Sequence, residues 1–224
     1  MTALIVVSCV ILLLALDLCR LWLKQKQQRP VPVVATVRPF SALKLPRGLF
    51  LDRSHTWLRL TESGELRVGI DELLVQATDG ADRIDLPPVG SRLERGDPLA
   101  TLWRRGRKLT LASPVGGTVV MCNHELERAG KDLAHDPYGA GWLATLWPTE
   151  HREALKPLNV GEAARKWLQN EVARFSDFLA SHDGAALGPA LGDGAHPVVG
   201  SALHLDDAAW EEFQAAFASC ENSA

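Results

Sequence analysis

Hydrophobic positions along this chain change their rhythm several times, and each change marks a different kind of element. The first stretch has no alternation at all. From Ala3 to Cys19 the sequence runs through 17 residues with Asp17 as the one charge. A helix of that length, with its flanks, crosses a bilayer core of about 30 Å, so residues 1–23 are expected to form a single transmembrane helix. No Lys or Arg precedes the run and no small-x-small cleavage pattern follows it, which argues against a removed signal peptide. Bulky Leu18 before Cys19 argues against a lipoprotein signal. Arg20, Lys24, Lys26 and Arg29 all follow the run, so the bias of positive charge places the rest of the chain on the cytoplasmic side of an inner membrane. Trp22 sits at the interface level, and Asp17 and Arg20, three residues apart, are spaced for an ion pair on one helix face.

Next comes a stretch with no period, Lys24 to Pro46, holding four prolines. It is expected to be a semi-extended spacer, residues 24–47. Thr56–Ile70 then gives two short runs rich in β-branched, aromatic and aliphatic residues on either side of Ser63-Gly64, which predicts a hairpin. Asp71 is placed to cap a helix of about two turns carrying Leu73, Leu74 and Ala77, with Gly80 as its stop. From Asp85 to Trp103, Pro87, Pro88 and Pro98 forbid a long helix and leave short strands joined by tight turns. "LTLASPVGGTVVMCN" repeats that theme, so two strand-turn-strand halves flank a basic apex. This is the layout of a small flattened β-barrel or sandwich, residues 48–150.

A period of three and four returns near the C-terminus. Ala164, Trp167, Leu168, Val172, Phe175 and Leu179 share one face of a helix over 161–180. A Gly/Pro loop follows, and then a second helix capped by Asp206, with Trp210, Phe213 and Phe217 in line. Residues 151–224 are therefore expected to be a helical extension whose apolar faces pack on the barrel or on each other. The fold class is α+β, mostly β, with flanking helices.

Composition narrows the function. At 224 residues the chain has room for one domain plus appendages. A net charge of -3 and a sequence pI near 6.2 exclude the overall basic excess of a protein that grips nucleic acid. Cys9, Cys19, Cys122 and Cys220 form no C-x-x-C pair, so neither a disulfide framework nor a structural zinc site is expected. No H-E-x-x-H, phosphate loop or G-x-S-x-G elbow occurs. His55 reads as a structural histidine beside a buried Trp57. His124, Glu125 and Glu127 would need ligands from elsewhere to hold a metal, so no metal site is expected. Nothing points to an enzyme.

Charge does gather at one place, the apex of "LWRRGRKLTLASPVGG". Arg104, Arg105, Arg107 and Lys108 surround Gly106. Three readings stand: a solvated loop, a hairpin that meets anionic lipid, or one that meets an acidic patch on a protein partner.

Five blocks give the domain a family. "SHTWLR" (54–59), "VGI" (68–70), "DLPPVG" (85–90), "SPVGG" (113–117) and "DPYGAGWL" (136–143) resemble, in order and at matching intervals, those of the glycine cleavage system H protein, a member of the lipoyl/biotinyl carrier-domain superfamily. The resemblance covers Gly48 to Pro148. It implies a barrel-sandwich hybrid, lipoyl-domain-like, in a non-catalytic carrier. It also implies a lipoyl group on a hairpin-tip lysine that shuttles an aminomethyl unit and electrons between partner enzymes. In the family the modified lysine lies eight residues before the proline of the S-P-V-S-G block. Here the eighth residue before Pro114 is Gly106, the family's acidic residue falls on Trp103, and Arg104 and Arg105 fill the two places between. Lys108 comes two residues late, about 6.6 Å down a strand. The leading expectation is a membrane-anchored interaction module without lipoate, docking a protein partner in a membrane-associated complex. The alternative is a lipoyl carrier modified at Lys108.

Overall fold

The computed structural model describes residues 38–128, 130–182 and 197–220. The expected membrane span, residues 1–23, lies outside them, as do Cys9 and Cys19. Among the described residues no helix is long and apolar enough to cross a membrane.

Among the described residues, ten strands form two antiparallel sheets. The larger contains β1 (Phe50–Leu51), β2 (Thr56–Leu60), β3 (Leu66–Ile70), β5 (Arg92–Leu93), β8 (Gly117–Cys122), β9 (Trp142–Pro148) and β10 (Asn159–Val160), in the order β10-β1-β2-β3-β9-β8-β5. The smaller has β4 (Arg83–Asp85), β6 (Pro98–Arg104) and β7 (Arg107–Ala112), in the order β4-β6-β7. Helices α1 (Glu72–Thr78), α2 (Glu125–Arg128), α3 (Lys131–His135), α4 (His151–Leu155), α5 (Gly161–Ser181) and α6 (Asp207–Phe217) flank them, with a 3-10 turn at Ser201–His204.

The two runs in Thr56–Ile70 form the expected hairpin, with Leu58 opposite Val68 and Trp57 opposite Gly69. Gly69 is required there, because a Cβ would stand 2.5 Å from the Trp57 ring. Asp71 caps α1 by accepting from the Leu74 N–H at 3.0 Å, and the helix ends with Asp79 and Gly80 both at positive φ.

Leu58, Leu66, Val68, Leu99, Val119 and Leu146 fill one core. A larger one joins Trp57, Ile70, Leu73, Leu74, Leu102 and Leu109 to Phe175, Leu179, Phe213 and Phe217 of α5 and α6. The apolar stripes of the C-terminal helices are thus spent on the barrel, as their spacing predicts.

Two boundaries differ from the sequence reading. Within the stretch expected to be spacer, residues 38–45 lie on the domain: Pro39 bridges Val198, the Ser41 N–H donates to Gln76 Oε1 at 2.8 Å, and Phe40, Leu43 and Leu45 pack on the larger core. Within the extension expected to be helical, β10 pairs with β1 and adds a strand. A two-residue strand has no periodicity to read.

Candidate functional site

The basic apex is the two-residue turn between β6 and β7. Arg105 and Gly106 have φ of 48° and 82°, so both turn residues are left-handed, as a tight primed hairpin turn requires. Arg104 and Arg107 face each other at the strand ends, and Trp103 faces Lys108.

All four cations are at the tip, yet three have carboxylate neighbours from this chain. Arg104 bonds Asp79 at 2.5 Å and also Asp82. The Arg105 backbone N–H donates to Asp82 Oδ2 at 2.8 Å, and its guanidinium lies 3.8 Å from Asp79. Arg107 bonds Asp207 at 2.8 Å, donates to the Leu205 carbonyl, and lies over the Trp210 ring at 5.4 Å. Partial burial opposes the charge on Asp79, but hydrogen bonds from Arg104 and Arg38 outweigh it and hold the carboxyl below its usual range. At Asp82 the Arg105 backbone N–H is the main cause of a like depression, with Arg104 adding to it. The apex is therefore a charge-matched, braced turn rather than a free cationic patch.

Lys108 is exposed and sits within β7, past the turn. Its carbonyl accepts from Trp210 Nε1 at 3.0 Å. Two further bonds complete that edge: the Thr110 N–H to Gln214 Oε1 at 3.2 Å and the Ala112 N–H to the Ala218 carbonyl at 3.1 Å. Helix α6 thus caps the outer edge of the hairpin, where a bare strand would present unpaired backbone groups.

A second constellation surrounds His55, which is fully buried as expected beside buried Trp57. Its Nδ1 is 2.7 Å from Asp71 Oδ2 and its Nε2 3.2 Å from Glu171 Oε2. Burial disfavours the imidazolium, but the two carboxylates, Asp71 above all, outweigh it and raise the pKa to about 9. Both ring nitrogens then donate. At Glu171 burial is again the largest influence and is overcome by His55 and Arg174, which lower its pKa. The ring stacks near Trp167 and Phe217 at 5.1 and 5.7 Å, so no substrate reaches it and the network ties α5 to the barrel.

Neither site holds a metal arrangement. Among the described residues no three His, Cys, Asp or Glu side chains are grouped to hold an ion, and the Glu127 side chain lies outside the described ones. Cys122 is buried and Cys220 half-buried, both as thiols.

The glycine cleavage H-protein family matches residues 49–171, more than half of the chain. The chain belongs to the glycine cleavage H-protein family. A probable glycine cleavage system H protein of Pyrococcus horikoshii is 30% identical over 126 residues, which are 56% of this chain and 93% of that one. The glycine cleavage system H protein of Aeromonas salmonicida is 37% identical over 99 residues, 44% of this chain and 77% of that one. The crystal structure of the H protein from Mycobacterium marinum aligns with a TM-score of 0.48 at 28% identity, covering 57% of this chain and 99% of that one. The H-protein family is one of carriers rather than catalysts. Its match ends at Glu171, the residue that holds His55, so Asp207, Trp210 and Gln214, which brace and cap the hairpin, all lie beyond the family segment.

Sequence reasoning found the four cations and Gly106 but missed Asp79, Asp82, Asp207, Trp210 and Gln214. Ion pairs across 22 to 100 residues leave no local spacing to read. Glu171 did leave a signal, because it stands inside the apolar stripe between Leu168 and Phe175.

Proposed function

We propose that this chain is a membrane-anchored, non-catalytic member of the H-protein family that carries no lipoyl group and docks a protein partner in a membrane-associated complex. The observation that carries this reading is the hairpin apex. The two residues that turn the chain are Arg105 and Gly106, and neither has an amine that forms an amide with lipoate. Lys108, the hairpin's one lysine, stands opposite Trp103 inside the ladder, with its carbonyl tied to α6. The residues at the apex do not fit a lipoyl group, and no transfer chemistry is assigned to it. What remains is the carrier scaffold with a tip whose arginines are already answered by carboxylates of the same chain.

Two experiments test the parts. In vitro, a lipoate ligase supplied with ATP and lipoate should leave this chain unmodified while modifying an H protein with a lysine at its hairpin apex. Incorporation at Lys108 would support the carrier alternative and overturn the reading. For the anchor, supported by the apolar run Ala3–Cys19 and the cations that follow it, the full chain should stay in the membrane pellet after an alkaline wash. Deletion of residues 1–23 should release it, and release of the intact chain would contradict the anchor.

A further inference from the structure

We infer that the partner docks on the outward face of the larger sheet around Met121 and Trp147, and that it presents a carboxylate side chain flanked by apolar residues to Arg67. This rests on the docking reading above and assigns it a place away from the hairpin.

One half of that face is already covered. Trp57 is buried there, its Nε1 donating to the Pro137 carbonyl at 2.9 Å, and Arg59 marks the border by donating to the Tyr138 carbonyl at 3.1 Å. The other half is open. Register places Arg59, Arg67, Thr145 and Met121 side by side in one cross-strand row, and Trp147, Thr118 and Arg92 in the next. A bulge between Val119 and Met121 turns Val120 outward as well. Met121 is 52% exposed, Trp147 49% and Val120 37%. Trp147 is held edge-on by His151 at 5.6 Å, whose Nε2 bonds the Gly64 carbonyl at 2.8 Å. The result is a fixed apolar surface and not a scatter of single exposed residues.

The electrostatics of the rows name the partner. Both contain arginines, and the carboxylate that the register brings nearest, Glu65 at the β3 end of the Trp147 row, accepts from Ser63 Oγ at 2.9 Å and makes no bond to Arg67. Arg92 has only a loose 3.6 Å pair with Glu94 in which both side chains are largely exposed. Arg67 is the informative group: its guanidinium lies over the Trp142 ring at 4.9 Å and has no carboxylate or carbonyl partner among the described residues. Its Nε, and the Oγ1 of Thr145 directly opposite it, are buried without a hydrogen-bond partner. A guanidinium stacked on an indole is oriented for a bidentate carboxylate. The contrast with the hairpin is direct. There the arginines are answered by Asp79, Asp82 and Asp207, whereas here a half-buried arginine in an apolar surround is unanswered. Aromatic, Met and Arg side chains are also the types enriched in protein interfaces.

The test is site-specific photo-crosslinking of the full chain in its native membrane, with the photoreactive residue placed in turn at Val120, Met121 and Lys108. Crosslinks from 120 and 121 to one protein are expected, at a peptide with Asp or Glu beside apolar residues. They should weaken at least about tenfold with Arg67→Gln, the loss typical of an unpaired interfacial charge. Met121→Glu, which alters an exposed side chain and no core contact, should reduce the crosslink from 120 to a similar degree, and unchanged melting of that variant separates lost docking from lost fold. Crosslinks from 108 alone would overturn this placement and leave the docking reading standing. Crosslinks from 120 and 121 to lipid, to a second copy of the chain, or to a peptide without a carboxylate would also overturn it. So would protein crosslinks indifferent to both substitutions.

Discussion

Substituting His55 by alanine should destabilise the fold by about 3–5 kcal/mol, the cost expected when one partner of a buried charge network is removed. The imidazolium is fully buried between Asp71 and Glu171. Without it, Glu171 keeps Arg174 at 2.5 Å, but Asp71 keeps, among the described residues, only the capping N–H of Leu74 as compensation for a buried charge. The loss should appear in urea unfolding of the full chain as a lower midpoint at near-constant slope.

The same network sets a pH dependence with a definite sign. His55 titrates at about 9 in the fold against 6.5 for an ordinary histidine. A raised pKa stabilises fully below the unfolded value and is lost as pH rises through the folded one. Stability should therefore fall between about pH 6.5 and about pH 9, by an amount on the order of 3 kcal/mol for a shift of this size. In His55→Ala that alkaline decline should flatten. A wild-type curve without it would show that the histidine is buried neutral.

Phe175→Ala should have an effect of similar size, about 3–5 kcal/mol, because it opens a cavity where a large ring was fully buried. Phe175 is 0% exposed and sits among Phe40 at 5.9 Å, Phe213 at 5.8 Å and Phe217 at 5.5 Å. Phe175 itself lies past the family segment, and those neighbours come from the stretch before the barrel and from the last helix, so one ring joins the flanking additions to each other. If the additions were loosely attached, the truncation would instead cost under about 1 kcal/mol in the same unfolding experiment.

The features legible in the sequence were the local ones. The Thr56–Ile70 hairpin, the Asp71 and Asp206 caps, and the stripes through Phe175 and Phe213 each depend on residues within a few positions of one another, where periodicity and capping chemistry operate. The order of the five blocks extended that to the whole barrel. Long-range closure was not legible. Nothing near Arg104 in sequence indicates that Asp79 and Asp82 will neutralise it, and nothing near Lys108 indicates that Trp210, 102 residues on, will hold its carbonyl. For the same reason a run of four cations suggested a free basic tip, while the unpaired arginine at position 67 stood in an ordinary strand pattern. Glu171 is the instructive intermediate. An acid inside an apolar stripe announces a buried partner, but only the fold reveals that the partner is His55.

On the function proposed above, the H-protein scaffold persists here without its lipoyl group. Intact-mass measurement of the full chain purified from its own host tests this most directly, alongside a Lys108→Ala variant. Apart from the substitution itself, both should have the masses given by their sequences. A lipoyl adduct on the wild type that disappears in Lys108→Ala would contradict the claim and make this protein a carrier with a displaced attachment site.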